Sequence, residues 1–231
     1  MERSIGLVDG YLRTLGGSLL RDEPLGAQIA IAQRAEQMML AELGTNTHKG
    51  AIFLGGVVLI ASHRVGSHDE PTLRAAVSSV AREIAEVAAP RATNGEAARR
   101  RHGVGGILRE VEEGLPSVFE VGVPAFRAAV ARGADEEAAS FSMLSRLMQT
   151  VEDTTALHRC GSAGLARLRA DGRSLERLVA AGRHVPFLRE RNALYRRMNL
   201  TMGGVADLLG AGLGWLVHRG ELRPAPVSSR R

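Results

Sequence analysis

Residues 28–43 read QIAIAQRAEQMMLAEL, and their spacing decides the fold class. Ile29, Ala32, Ala35, Met39 and Leu43 recur at three- and four-residue steps, which traces one face of an α-helix. Gly44 follows as a residue suited to a helix end. The same period continues outward. A second helix is predicted from Gly50 to about His63, and a third over residues 71–88, with Pro71 at its start and Pro90 past its end. Residues 91–123 carry glycines at 95, 103, 105, 106, 114 and 122 together with Pro116, which predicts a structured loop with short helical pieces. Further helices are predicted at about 124–132, 135–150, 154–170, 173–182, 186–198 and 203–218. The last places Ala206, Leu209, Leu213, Leu216 and Val217 on one side. No stretch shows sustained period-two alternation. The expectation is an all-α, single-domain helical bundle around a glycine-lined cleft over residues 1–221, with a disordered tail, LRPAPVSSRR, over residues 222–231.

Composition agrees and sets limits. Hydrophobic residues make up 45% of the 231 and aromatics only 3%, so the core must be built from Leu, Ala, Val, Ile and Met. Such residues favour helix. The formal net charge of +5 points to anionic partners. Cys160 is the only cysteine, so no disulfide can form within the chain, which fits a reducing compartment. The start, MERSIGLVDG, has no apolar region of the kind a signal peptide needs. The most apolar run, AIFLGGVVLIA (51–61), is shorter than the roughly 20 residues that span a bilayer. A cytoplasmic protein without a membrane partner is expected.

Several chemistries lack their motifs. There is no GxxxxGK[ST] loop, no HExxH, and Cys160 with His158 is too small a set for zinc. Residues 159–197 hold ten arginines against Asp171, Glu176 and Glu190. They form either a solvated helical face or an anion-binding wall. Only Phe187 and Tyr195 interleave with them, which argues against a stacking platform for nucleic acid.

Other features point to a polyphosphate. Lys49, inside NTHKG (46–50), is the only lysine among thirty basic residues. Of four asparagines, Asn46, Asn94 and Asn199 sit in small polar clusters beside glycine, TNTHKG, ATNGE and NLTMGG. Glycine admits close backbone approach, and the asparagine amide both donates and accepts. Glu152 and Asp153 precede a helix in VEDTTALHR. Asp153 is either its N-cap or, with Glu152, a holder of Mg²⁺ on a polyphosphate.

Taken in order, NTHKGAIFLGG, TNGE, the glycine-rich stretch ending GLPSV, EDTTALHRCGSAGL and N-x-x-x-GG-x-ADLL resemble the triphosphoribosyl-dephospho-CoA synthases over roughly residues 28–216. The resemblance implies an all-α enzyme that moves the 5-triphosphoribosyl group of ATP onto dephospho-CoA, or a different small acceptor, and releases adenine. It implies phosphate or ribose contacts from Asn46, Thr47, His48, Lys49, Gly50, Asn94, Arg159, Asn199, Gly203 and Gly204. It also implies catalytic roles for Asp153 and Glu110, and Mg²⁺ held by Glu152, Asp153 and Asp207. Any of these carboxylates could instead be the general base.

The chain departs from the family in places. Gly6-Leu7-Val8-Asp9 echoes an N-terminal Lys-Pro-Gly-Leu-Val motif, but Ser4 and Ile5 stand for the lysine and proline. Thr154-Thr155 and Thr201-Met202 replace Thr-Asn and Ser-Pro, and Leu108-Arg109-Glu110 replaces Arg-Gly-Glu. Only 36 residues separate Asp9 from Asn46, fewer than in the family. The attendant expectation is a shortened member that works as a homo-oligomer or with a partner chain supplying the missing elements, or one that binds nucleotide without chemistry. A basic helical nucleic-acid module is the third reading.

Overall fold

The protein, a computed structural model, is described over residues 2–44, 48–66, 69–87 and 94–224, with backbone only for Glu2 and Asn94. Among these residues there are eleven α-helices and one π-helical turn, and no strand. In chain order they are α1 (Glu2–Leu20), α2 (Leu25–Leu43), α3 (Lys49–Val65), α4 (Glu70–Val87), α5 (Asn94–His102) and α6 (Gly106–Glu112). The π-helical turn Ser117–Gly122 follows, then α7 (Val123–Ala131), α8 (Glu136–Thr150), α9 (Thr154–Ala180), α10 (His184–Met198) and α11 (Gly203–His218). The all-α expectation holds. Among the described residues no helix is long and apolar enough to cross a membrane.

Helix ends follow local chemistry. Gly44 and Gly66 close α2 and α3 in the left-handed region, at φ 65° and 56°, where glycine carries no Cβ penalty. Asp135 caps α8 by accepting from the Ala138 N–H at 2.8 Å. The region expected to be a loop with helical pieces contains α5, α6 and the π-helical turn. Glu110 pins that turn by accepting from both the backbone N–H and the hydroxyl of Ser117.

Three expectations need correction. First, α1 was not foreseen as a helix. Gly6, Gly10, Gly16 and Gly17 fall within it, and each costs roughly 0.5–1 kcal/mol relative to alanine. Packing overrides that cost: Tyr11, Leu15 and Leu19 are buried in the core against α2 and α3. Second, α9 does not end at residue 170. It runs to Ala180 and bends instead at Gly161, where φ is 63°. Gly172, in the gap between the two predicted helices, is a contact point: a Cβ there would lie 2.9 Å from the Ser145 carbonyl of α8. Third, the buried stripe of α11 is Val205, Leu208, Gly212, Trp215 and Leu216, while Ala206 is exposed. That helix is apolar nearly all round, so periodicity alone could not choose the face.

One apolar core runs from Tyr11 in α1 to Leu216 in α11. Leu222, expected to begin the tail, packs against it, and its N–H donates to the Leu216 carbonyl at 3.2 Å. Residues 225–231 lie outside the described residues.

Candidate functional site: the seam of α3, α9 and α11

Asp153 organises the centre of the molecule. It is fully buried. One carboxylate oxygen accepts from the N–H groups of Thr155 and Ala156, each at 2.9 Å, and from the Thr155 hydroxyl. The other accepts from the Val205 N–H at 2.9 Å. Thr155 in turn accepts from the Gly203 N–H at 2.8 Å. Asp153 therefore caps α9 and α11 together, and its charge faces the positive ends of both helix dipoles. Of the two readings of VEDTT, the geometry shows the cap. Oδ1 is committed to three of these bonds, so as a metal ligand or catalytic group Asp153 could offer only Oδ2, which already accepts one.

Asp207, one turn into α11, has the opposite environment. It is half-buried, and no hydrogen bond or ion pair engages its carboxyl among the described residues. Burial first, and the neighbouring Asp153 charge second, push its pKa up to about 7. The carboxyl lies against the start of α3: a Cβ on Gly50 would fall 1.8 Å from its Oδ2. Only glycine admits α3 this close. Gly203 and Gly204 line the same seam, where a Cβ would stand 3.0 Å from Thr155 Cγ2 and 3.3 Å from Asp153 Oδ2, respectively. Three helix N-termini thus meet at this seam, and its glycines approach side chains of the protein itself.

Lys49 is the first residue of α3, and His48, at the N-cap position, makes no side-chain cap bond. His48 Nε2 lies 3.0 Å from the buried Ser4 hydroxyl of α1. The Lys49 ammonium lies 3.5 Å from Glu36 of α2. Neither Glu36 nor Ser4 figured among the sequence candidates. For Glu36 a signal existed: it is a carboxylate in register with the inward-facing Ala32, Met39 and Leu43. Asn46 and Thr47 lie outside the described residues, as does the side chain of Asn94.

The remaining candidates sit further out. Arg159 donates to Asn199, which closes α10 in the left-handed region at φ 54°. The two predicted ligand contacts therefore meet each other. Glu152 accepts from the Gly105 N–H at 2.8 Å and lies 3.4 Å from Arg109. Burial pushes the Glu110 carboxyl up while the bonds from Ser117 pull it down. Those bonds tie it to the π-helical turn, not to the seam. Among the described residues no group of three or more His, Cys, Asp or Glu side chains is arranged to hold a metal ion. Glu152 meets Gly105 and Arg109 instead, and the expected trio Glu152, Asp153 and Asp207 does not form such a group.

Of the ten arginines at 159–197, seven are exposed. Arg167 and Arg191 instead converge on buried Asp171, at 2.9 and 3.6 Å, beside the Tyr195 hydroxyl at 2.9 Å. The wall is mainly a solvated face anchored by one buried carboxylate. A surface hollow of about 660 Å³ lies elsewhere, between the end of α3 and α4, and its lining of Arg64, Pro71, Thr72, Ala76 and Val80 offers no carboxylate or lysine.

The family of ATP:dephospho-CoA triphosphoribosyl transferases, CitG, matches residues 1–224. A probable 2-(5''-triphosphoribosyl)-3'-dephosphocoenzyme-A synthase of Stutzerimonas stutzeri is 33% identical over 98% of this chain and 75% of its own length. A protein of the same name from Azotobacter vinelandii is 35% identical over 90% of the chain and 73% of its own length. The 2-(5''-triphosphoribosyl)-3'-dephosphocoenzyme-A synthase of Klebsiella pneumoniae is 32% identical over 77% and 64%, respectively. No solved structure matches. A match across nearly the whole chain shows that this protein belongs to the ATP:dephospho-CoA triphosphoribosyl transferase family.

Proposed function

We propose that the chain transfers the 5-triphosphoribosyl group of ATP to a hydroxyl of dephospho-CoA. The acceptor oxygen bonds to ribose C1′ as the bond from C1′ to the adenine nitrogen breaks. Adenine leaves with its bonding electrons and takes up a proton, and the acceptor gives up its hydroxyl proton. Cleavage at C1′ passes through an oxocarbenium-like state, as in glycoside transfer. The protein must therefore hold the triphosphate, present the acceptor and receive one proton.

The observation that carries this reading is the half-buried Asp207, without a partner among the described residues, against Gly50, the residue that follows the only lysine. A carboxyl with a pKa near working pH suits general-base work. Asp207 is the proton acceptor in this reading, and Lys49 meets a phosphate oxygen. Arg159 and Asn199 lie at the outer rim for the acceptor or the phosphate chain. Asp153 fixes the seam without touching substrate. Mg²⁺ enters as part of the substrate, on the ATP phosphates, since the carboxylates among the described residues do not form a cage and magnesium commonly binds through phosphates and water.

The direct test is chromatography of the nucleobase fraction after incubation with Mg·ATP and dephospho-CoA. Adenine and a triphosphoribosylated acceptor are expected. ADP, AMP or pyrophosphate without adenine would refute the reaction. Binding of ATP without release of adenine would favour a nucleotide-binding relative that has lost the chemistry.

A further inference from the structure

Every other Lys or Arg in this protein is arginine, and a guanidinium can grip a carboxylate with two parallel bonds, although most pairs here, such as Arg13–Asp9 and Arg64–Glu83, make one. Arg127 holds Glu221 through Nε and Nη2, at 2.7 and 2.8 Å. Lys49 and Glu36 differ. They touch through a single contact of 3.5 Å, with the Glu36 side chain only 20% exposed. Glu36 sits where three helices meet. Tyr11 of α1 is buried, and burial first and the Glu36 charge second push its phenol pKa up. Its hydroxyl reaches over Gly56 of α3, where a Cβ would lie 2.2 Å away. From the same face of α1, two turns earlier, Ser4 holds His48. The α1–α2 pair thus fixes both residues that open α3.

We propose that Glu36 is the positioning residue for Lys49: it tethers the ammonium at the start of α3 through a bond loose enough to be exchanged for, or shared with, a phosphate oxygen of the substrate. This inference rests on the triphosphoribosyl-transfer reading. It gives the lone lysine a chemical reason. An ammonium offers three donors around a point charge and can serve a carboxylate and a phosphate together. A guanidinium at this place would close a two-bond fork on Glu36, and its donors would be committed to the protein. The sequence therefore avoids arginine here because of Glu36, and not only because of space.

A mutant cycle tests this through the adenine-release rate. Lys49→Arg falls about 100-fold, the scale of a misplaced contact. Glu36→Gln placed in the Lys49→Arg chain frees the guanidinium and recovers about tenfold, within the range of coupling between touching residues. Glu36→Gln alone lowers kcat, with a smaller change in KM for ATP, and Glu36→Asp retains more activity than Glu36→Gln. In a Lys49→Ala chain, Glu36→Gln has no further effect. Failure to recover any activity in the double variant overturns the tether, because steric misfit alone would then explain Lys49→Arg. Equal losses from Glu36→Gln with and without Lys49 overturn it too, since Glu36 would then act on its own.

A readout free of turnover separates this idea from the reaction. With ¹³C-lysine incorporated, Lys49 gives the single lysine signal in the NMR spectrum. That signal should move on adding inorganic tripolyphosphate and should start from a different shift in Glu36→Gln. A parent that releases no adenine but shows both changes would refute the reaction and keep the tether. An identical Lys49 signal in parent and Glu36→Gln would refute the tether alone.

Discussion

The two sides of the seam treat charge in opposite ways. At the α9–α11 side, Asp153 is fully buried and accepts four hydrogen bonds. At the mouth facing α1, α2 and the start of α3, Lys49 is half-exposed on one long contact, and Asp207, which α11 sends against Gly50, has no partner among the described residues. A buried ionised group must have its bonds satisfied or it destabilises the fold. A group meant to meet a ligand must have valence to spare. In the proposed reading the motif EDTT carries structure and the motif HKG carries reactivity, although both stand out equally in the sequence. The difference is a claim about energies, and substitution can break it.

The largest effect belongs to Asp153→Ala. It strands the N–H groups of Thr155, Ala156 and Val205 in a dry junction, and each unpaired buried donor costs about 1–3 kcal/mol. A total on the order of 4 kcal/mol lowers the melting temperature by roughly 10 °C in a chain of this size. Asp153→Asn should fall between parent and alanine, because its amide oxygen still accepts while its NH₂ faces a donor. Calorimetric melting measures both. An alanine variant that melts like the parent but loses activity would reverse the roles assigned to the two sides.

Next comes Lys49→Arg. Its adenine-release rate should fall about 100-fold, and its melting temperature should stay within about 1 °C, because an exposed ion pair contributes about 0–1 kcal/mol. Loss of fold would move Lys49 to the structural side. Parental activity would mean that the lone lysine has no special task.

The sequence made some of this legible and hid the rest for physical reasons. The helical period of residues 28–43 is a local property, so the fold class could be read. The cap at Asp153 was one of two readings, and a choice required knowing that Val205 arrives 52 residues later to take the second oxygen. Gly50 could be read as a close approach, but the approaching group is Asp207, more than 150 residues on. Glu36 stood out as a carboxylate on an apolar face, but its partner was hidden because Lys49 lies across the α2–α3 connection. The helix α1 was masked by four glycines whose local cost is repaid only by distant packing.

The smallest expected effect is also the one that discriminates most finely. Asp207 has its pKa raised from the ordinary 3.8 to about 7 by burial and by Asp153. A carboxyl that holds its proton more tightly when folded favours the fold below pH 4, and this contribution is lost as pH rises from about 4 through 7. Above pH 7 the buried charge is a penalty, on the order of 1 kcal/mol once its partial exposure is allowed for. Asp207→Asn removes that penalty. Its melting temperature should therefore exceed the parent's by about 2–4 °C at pH 8 and hardly at all at pH 5. Activity should run the other way. If Asp207 receives the acceptor's proton, parental kcat/KM climbs as the carboxyl ionises and levels off above pH 7. The asparagine variant loses that limb and most of its rate. A stabilised but inactive Asp207→Asn is what a reactive group held at a cost to the fold predicts. A variant that loses stability at pH 8 would instead place Asp207 beside Asp153 as a second structural clamp, and the two sides of the seam would no longer differ in kind.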